Sequence, residues 1–85
     1  MNTGVMYSLH NDYLSTERKI ETLVCQYIIK TGRIPDTVEM NPSQVGNLST
    51  LEVIASMIRQ TVEVRIVPSK VVMKNHYWIG VESDE

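Results

Sequence analysis

The residues best suited to binding chemistry lie in the stretch from Val64 to Val81. This stretch contains no Asp or Glu and combines basic with aromatic side chains, a mixture that binds single-stranded nucleic acid or an acidic partner. A simple hairpin with a soluble tip at Lys74–Asn75, and with Trp78 in the core, explains the same residues. If Trp78 is exposed, it is the first residue to test at an interface, because Trp concentrates binding energy. The candidate interaction residues are Arg65, Lys70, Lys74, His76, Tyr77 and Trp78.

No other pattern in the chain predicts catalysis or metal binding. His10 and His76 are far apart in sequence, and neither has Cys or carboxylate neighbours at the spacing of metal ligands. Both are therefore predicted to be surface histidines. The chain has no nucleophile elbow, and its four glycines are dispersed rather than grouped in a phosphate-binding loop. We predict a non-enzymatic protein with no catalytic residues, no metal site and no cofactor.

Composition restricts the class of protein further. A chain of 85 residues predicts one domain, residues 1–85. The net charge of −2 weighs against a dedicated nucleic-acid-binding protein. Cys25 is the only cysteine, so no intrachain disulfide can form, and a buried, unreactive thiol is expected. Because no secretion signal or membrane-spanning segment is recognisable, we expect a location in the cytoplasm, or in the virion if the protein is phage-encoded.

The first half of the chain predicts one long helix and a short strand. A helix over 16–31 is indicated by Ser15 as its N-cap, by Gly32 after its end, and by a continuous apolar stripe. Residues 37–40 are expected to form a short strand. Asn41 and Pro42 then have the types that begin a helix, and we expect a short one there. Residues 1–14 are predicted to form either an edge strand or a disordered arm.

The second half predicts another helix and two strands. Ser49 and Glu52 have the spacing of a capping box, so a helix is expected over 50–60. Its inner face would contain Leu51, Ile54, Ala55 and Ile58. The alternating residues of 61–67 predict a strand, with a short extension at 71–73. A last strand is expected over 77–81, with a bulge or close approach at Gly80, followed by a solvated acidic tail at 82–85.

Together these elements predict an α+β fold. The sheet would be small and mixed, with three strands, or four if residues 1–14 form an edge strand. The two main helices would lie on one face of it. The strands at 37–40 and 61–67 should be parallel because helices connect them, whereas those at 61–67 and 77–81 should form an antiparallel hairpin. The other face of the sheet would stay open, which is a natural place for a partner to bind.

The run from Ile34 to Gln44 resembles a pattern common in tailed-phage major capsid proteins, in which a helix leads to a short apolar strand and an Asn-Pro or Ser-Pro helical turn. Later segments of that pattern resemble Val64–Pro68 and Trp78–Gly80. The resemblance covers roughly half of the 85-residue chain. The chain has no room for the long spine helix and extended loop of a capsid subunit, and it lacks the Gly that commonly opens the second strand. The resemblance implies a small phage- or prophage-encoded protein with an α/β core, and it carries over no functional residues.

Three classes of function remain at this point. The first is a protein-interaction domain, either a virion component or a modulator of a host protein, that forms a homo-oligomer such as a dimer. The second is a nucleic-acid-binding accessory protein that uses residues 65–78, which salt-dependent binding to oligonucleotides would distinguish. The third is an enzyme, which would need a cleft lined by converging polar residues. We predict the first, with a protein partner and no membrane association.

Overall fold

The computed structural model of the protein describes residues 3–82. In chain order the elements are β1 (Thr3–Ser8), α1 (Thr16–Thr31), β2 (Thr37–Met40), α2 (Pro42–Val45), β3 (Thr50–Ala55), a 3₁₀ turn (Ser56–Ile58), β4 (Gln60–Pro68) and β5 (His76–Val81). The strands form one mixed sheet in the order β1-β5-β2-β4-β3. The fold is therefore α+β with a mixed sheet, as predicted, but with five strands rather than three or four.

Helix α1 begins and ends where its local chemistry predicts. Ser15 Oγ accepts a hydrogen bond from the backbone N–H of Arg18 at 3.2 Å, which satisfies a donor of the first turn. Gly32 has φ of 73° and donates its N–H to the carbonyl of Ile28 at 2.8 Å. The predicted apolar stripe is buried against the sheet and consists of Ile20, Leu23, Val24, Tyr27 and Ile28.

Strand β2 is the centre of the sheet. It pairs in parallel with β4, from Thr37 opposite Arg65 to Met40 opposite Pro68, which confirms the predicted parallel pair. On its other side β2 pairs antiparallel with β5. The predicted hairpin between β4 and β5 is therefore wrong, because β2 lies between these strands.

The connection between β4 and β5 explains how β2 separates them. Residues 69–75 cross the end of β2 and are held there by hydrogen bonds to β2 and to the segment that follows it. The Ser69 N–H donates to the carbonyl of Met40 at 2.8 Å, and Asn41 Nδ2 donates to the carbonyl of Val72 at 2.9 Å. The N–H of Asn75 donates to the side chain of Gln44 at 2.7 Å. The predicted strand extension at 71–73 is also wrong, because these residues belong to this crossing loop.

The helix predicted over 50–60 is a strand followed by a single 3₁₀ turn. Residues in this segment are buried with a period of two: Val53 is fully buried, whereas Ile54 is 69% exposed on the opposite side. The capping box is not formed, and the carbonyl of Ser49 instead accepts a hydrogen bond from the N–H of Ile66 at 2.9 Å. Pairing with β4 is favoured over the helix because it buries Leu51 and Val53 opposite Val64 and Val62.

Within residues 3–82, one face of the sheet packs against α1 and the other, the uncovered face, does not. We call the side packed against α1 the covered face. Neither α1 nor α2, the α-helices formed by residues 3–82, is long and apolar enough to cross a membrane. The sheet residues on the covered face that join the core or pack against it are Val5, Tyr7, Val38, Met40, Leu51, Val53, Ala55, Val62, Val64, Ile66, Tyr77 and Ile79.

Both ends of the described chain are ordered parts of the fold, unlike the disordered arm and the solvated tail considered from the sequence. Of the two alternatives predicted for residues 1–14, the edge strand is correct over Thr3–Ser8. At the other end, the N–H of Glu82 donates to Asp36 Oδ1 at 3.0 Å, so this residue of the predicted acidic tail is held against the fold. Residues 83–85 of the predicted tail lie outside the described residues.

Candidate functional site

The uncovered face of the sheet is the candidate site. Successive side chains of a strand point to opposite faces, so the residues between the core positions of each strand point away from α1. The short helix α2 also lies on the covered side, since its Val45 belongs to the core cluster. The strand residues of the uncovered face are Gly4, Met6, Ser8, Thr37, Glu39, Thr50, Glu52, Ile54, Thr61, Glu63, Arg65, Val67, His76, Trp78 and Gly80.

Trp78 lies on β5, one strand in from the β1 edge of this face, and rests on a glycine. A Cβ added to Gly4 would lie 2.5 Å from Cε2 and Cζ2 of Trp78, so the indole packs directly on the backbone of β1. Trp78 stands opposite Met6 on β1 and opposite Glu39 on β2. The side chain of Met6 is 50% exposed. The result is a half-buried aromatic ring with an exposed apolar neighbour, which is the kind of residue that dominates binding energy at protein interfaces.

Gly80 allows β1 and β5 to approach closely on the same face. A Cβ at this position would overlap the carbonyl of Thr3 and the Cα of Gly4. The close approach predicted for Gly80 is therefore confirmed. Because Gly4 and Gly80 are opposite each other, neither adds a side chain of its own to this face, and the indole of Trp78 lies against the backbone of Gly4.

A pair of carboxyl groups lies on this face. A hydrogen bond with the Glu82 carboxyl raises the pKa of Glu39, and burial and the negative charge of Glu82 raise it further. Arg65 Nη2 also lies 3.4 Å from Glu82 Oε1. The Arg65 side chain is 61% exposed, so this ion pair contributes little to stability.

A second pair of acidic residues adds to the negative charge. Glu52 on β3 stands directly opposite Glu63 on β4, and like charges in this arrangement destabilise a sheet. With Glu39 and Glu82, the uncovered face carries four carboxyl groups, whereas Arg65 supplies the single Lys or Arg among its described residues. The face is therefore predominantly negative, with Glu39 directly beside Trp78 and the Glu52–Glu63 pair two and three strands away from it.

The predicted interaction residues do not form one surface. Arg65 stands beside Thr37 at the first residue of β2, whereas Lys70 and Lys74 lie in the 69–75 loop at the other end of that strand. Tyr77 is fully buried on the covered face, where burial raises the pKa of its hydroxyl. It is thus a core residue rather than a surface residue. Trp78 and His76 lie on the uncovered face.

The two histidines, which are distant in sequence, are brought together by the fold. The rings of His10 and His76 meet edge to face with centroids 5.9 Å apart. His76 Nδ1 lies 2.9 Å from the carbonyl of Lys74. His10 is exposed and His76 half-buried. Within residues 3–82, no three His, Cys, Asp or Glu side chains are grouped closely enough to hold a metal ion.

Cys25 is half-buried at the β3 side of α1, whereas the sequence predicted a buried thiol. Its Sγ lies 3.9 Å from the carbonyl oxygen of Ile54. Burial and the nearby charge of Glu21 raise the pKa of its thiol. A raised pKa lowers the thiolate fraction, and with it the nucleophilic reactivity of the sulfur.

Comparison of the chain with protein-family models, with curated proteins and with solved structures gives no match. The site is therefore interpreted from its own geometry. Sequence reasoning identified Trp78 but missed Met6, Glu39 and Glu82. The alternation of side chains along β1 and β2 indicates that Met6 and Glu39 point away from the core. Only the order of strands in the sheet reveals that both residues flank Trp78.

Proposed function

We propose that this chain is a non-enzymatic protein-interaction domain that binds a basic protein surface through the uncovered face of its sheet. The observation that supports this most directly is the position of Trp78, half-buried beside Met6 on a face with four carboxyl groups and one guanidinium. An apolar contact on a predominantly negative face fits a partner that combines an apolar contact with Lys or Arg side chains.

The packing of Trp78 supports its role as the central contact. Its indole rests on Gly4 and stands between Met6 and Glu39, so it is held in place before a partner arrives. Binding through a side chain that is already ordered loses less conformational entropy. The Glu52–Glu63 pair supports the charge of the partner, since a cation placed between these carboxylates would remove their mutual repulsion.

The biological setting of this proposal comes from the resemblance of the run Ile34–Gln44 to phage capsid proteins. On that basis the chain is a phage- or prophage-encoded protein, acting as a virion component or as a modulator of a host protein. A basic host protein or a basic segment of another virion protein fits the charge of the uncovered face. Identification of the neighbouring genes would test this setting independently of binding.

The alternative of nucleic-acid binding would require a different surface. A polyanion is repelled by the carboxyl groups of the uncovered face, which leaves Lys70 and Lys74 in the 69–75 loop as the basic contacts of the predicted 65–78 region. Replacing both lysines with Ala would abolish such binding. The same double variant would leave binding at the uncovered face unchanged, so the two functions can be separated by one pair of substitutions.

Selection of binders from a random peptide library tests the proposal. Peptides selected on the wild-type chain should be enriched in Lys and Arg together with apolar residues. Their affinity should fall about 30-fold or more for Trp78→Ala, the effect of losing a central interface residue. The double variant Glu52→Gln/Glu63→Gln should weaken binding and reduce its dependence on salt.

The matched control is Glu17→Gln/Glu21→Gln, which removes two negative charges from α1 instead of from the sheet. It should bind the selected peptides with nearly wild-type affinity. Selected peptides without a basic excess, or peptides equally sensitive to both double variants, would contradict the proposal. Circular dichroism of Trp78→Ala would verify that any lost affinity is not due to unfolding.

A further inference from the structure

The edge of the sheet at β1 presents unpaired backbone groups in a regular order. The N–H of Leu9 donates to the carbonyl of Asn75 at 2.9 Å, which continues the antiparallel β1–β5 ladder. In such a ladder only alternate residues bond to the neighbouring strand. Leu9 and every second residue before it therefore bond to β5. The N–H and C=O groups of Gly4, Met6 and Ser8 point outward, and we call these the outward residues of β1.

The other edge of the sheet, at β3, has the same alternation but different chemistry. The N–H of Ile66 donates to the carbonyl of Ser49, so Thr50, Glu52 and Ile54 are the outward residues of β3. This edge carries the charge of Glu52, and Cys25 Sγ approaches one of its outward carbonyls at 3.9 Å. A charge on an edge strand discourages pairing with another chain.

Strand β1 lacks the features that normally protect an edge. Protected edges carry a charged residue, a proline or a bulge. Thr3–Ser8 contains no charged residue and no proline. Its register with β5 runs without interruption from Thr3 opposite Val81 to Ser8 opposite His76. The outward residues of β1 are also exposed. Among the described residues no strand pairs with this edge, so it can accept a strand from another chain.

We propose that β1 pairs antiparallel with β1 of a second copy of this chain, with Met6 opposite Met6. This register places Gly4 opposite Ser8 of the second copy, so every outward N–H and C=O of β1 finds a partner. Because the strand is uncharged, the two-fold arrangement brings no like charges together. The inference goes beyond the proposed function, since it uses the backbone of an edge rather than the side chains around Trp78, and either can fail alone.

Side-chain packing favours the same register. On the covered face, Val5 would stand opposite Tyr7 of the second copy, and both side chains are only half-buried in the single chain. Aromatic and β-branched residues form favourable cross-strand pairs. A groove of about 360 Å³ lies beside this edge, opening where Leu9 of the second copy would stand opposite Thr3. The lining residues are Thr3, Gly4, Val5, Tyr27, Thr31 and Arg33.

The proposal is tested by measuring mass and amide exchange on the full chain. Sedimentation equilibrium should give twice the 9.7 kDa chain mass at high concentration. Residue-resolved hydrogen exchange should show protected amides at the outward residues of β1, with the protection lost on dilution to monomer. The outward amides of β3 should exchange quickly at every concentration. A monomer at all concentrations, or a dimer without protection at β1, would overturn the proposal.

Two pairs of variants separate the edges. Met6→Pro removes an N–H that β5 does not use, which is tolerated on an edge strand, and should give a monomer. Ile54→Pro makes the matched change on β3 and should leave the dimer intact. If Met6→Pro fails to fold, Met6→Lys decides: it should weaken association at least fivefold, with partial recovery at high salt, while Ile54→Lys should not. Equal effects from both edges would refute the assignment to β1.

Discussion

The two faces of one sheet carry opposite chemistry on the same strands. On the covered face, the strand residues that pack against α1 are apolar, and Val38, Val64 and Ile79 are fully buried. On the uncovered face, their immediate neighbours include Glu39, Glu63 and the half-buried Trp78. Because side chains alternate between faces, stability depends mainly on the residues of the covered face, and the proposed recognition depends on those of the uncovered face. Substitutions one position apart should therefore have effects of different kinds.

The same substitution placed on the two faces provides the strongest test of this difference. Ile79→Ala on the covered face should lower the free energy of unfolding by about 2–5 kcal/mol, because it leaves a cavity in the core. Ile54→Ala should change it by about 0.5 kcal/mol or less, since this side chain is 69% exposed. Urea denaturation monitored by circular dichroism gives both values. Comparable losses for the two variants would show that the faces are not distinct.

Protonation of Glu39 provides a test of intermediate size. Its carboxyl holds a proton more tightly in the folded chain, since its pKa is raised above the ordinary value of 4.5. The stability contributed by this residue is therefore present at low pH and is lost as pH rises from about 4.5 through the raised pKa. Glu39→Gln should remove this loss and raise the melting temperature at neutral pH.

Melting curves at a series of pH values measure this effect. The control is Glu17→Gln, which removes a carboxylate from the first turn of α1, where the helix dipole favours negative charge. It should lower the melting temperature at neutral pH instead of raising it. If Glu39→Gln is no more stable than wild type at pH 7, the carboxyl pair does not destabilise the uncovered face.

The smallest effect is expected outside both faces. Lys74 is exposed in the 69–75 loop, and it forms no ion pair with a described residue. Lys74→Ala should change the free energy of unfolding by less than about 0.5 kcal/mol. Asn75→Ala in the same loop is the informative comparison, because Asn75 bonds to the side chain of Gln44 and has φ of 64°. It should be the less stable of the two.

The parts of the fold that the sequence predicts are those fixed by local chemistry. Ser15 and Gly32 determine the ends of α1 through hydrogen bonds within a few residues. The prediction of a helix over 50–60 was wrong because the apolar residues of this segment fit a helical period as well as a strand period. The segment forms a strand because it pairs with β4, where Val62 and Val64 are its cross-strand partners. Whether such a segment forms a helix or a strand depends on residues outside the segment.

The candidate site was predictable only residue by residue. Trp78 stood out by its type, and an open face of the sheet was expected. The grouping of Trp78 with Met6 and Glu39 depends on β5 lying between β1 and β2. The predicted hairpin would instead have made β4, the strand of Arg65, the neighbour of Trp78. An error in strand order thus changes the charge of a site even when each strand is predicted correctly.

The pairing of β1 with β5 also has a consequence for how the chain folds. Thr3 stands opposite Val81, so the first described strand finds its neighbour only after β5, the last described strand, has been synthesised. Contacts of such long sequence separation make folding slow, because loop closure must precede the gain from pairing. Until then the uncharged Thr3–Ser8 segment has no strand beside it. The period on the ribosome is therefore when this sequence is most vulnerable to aggregation.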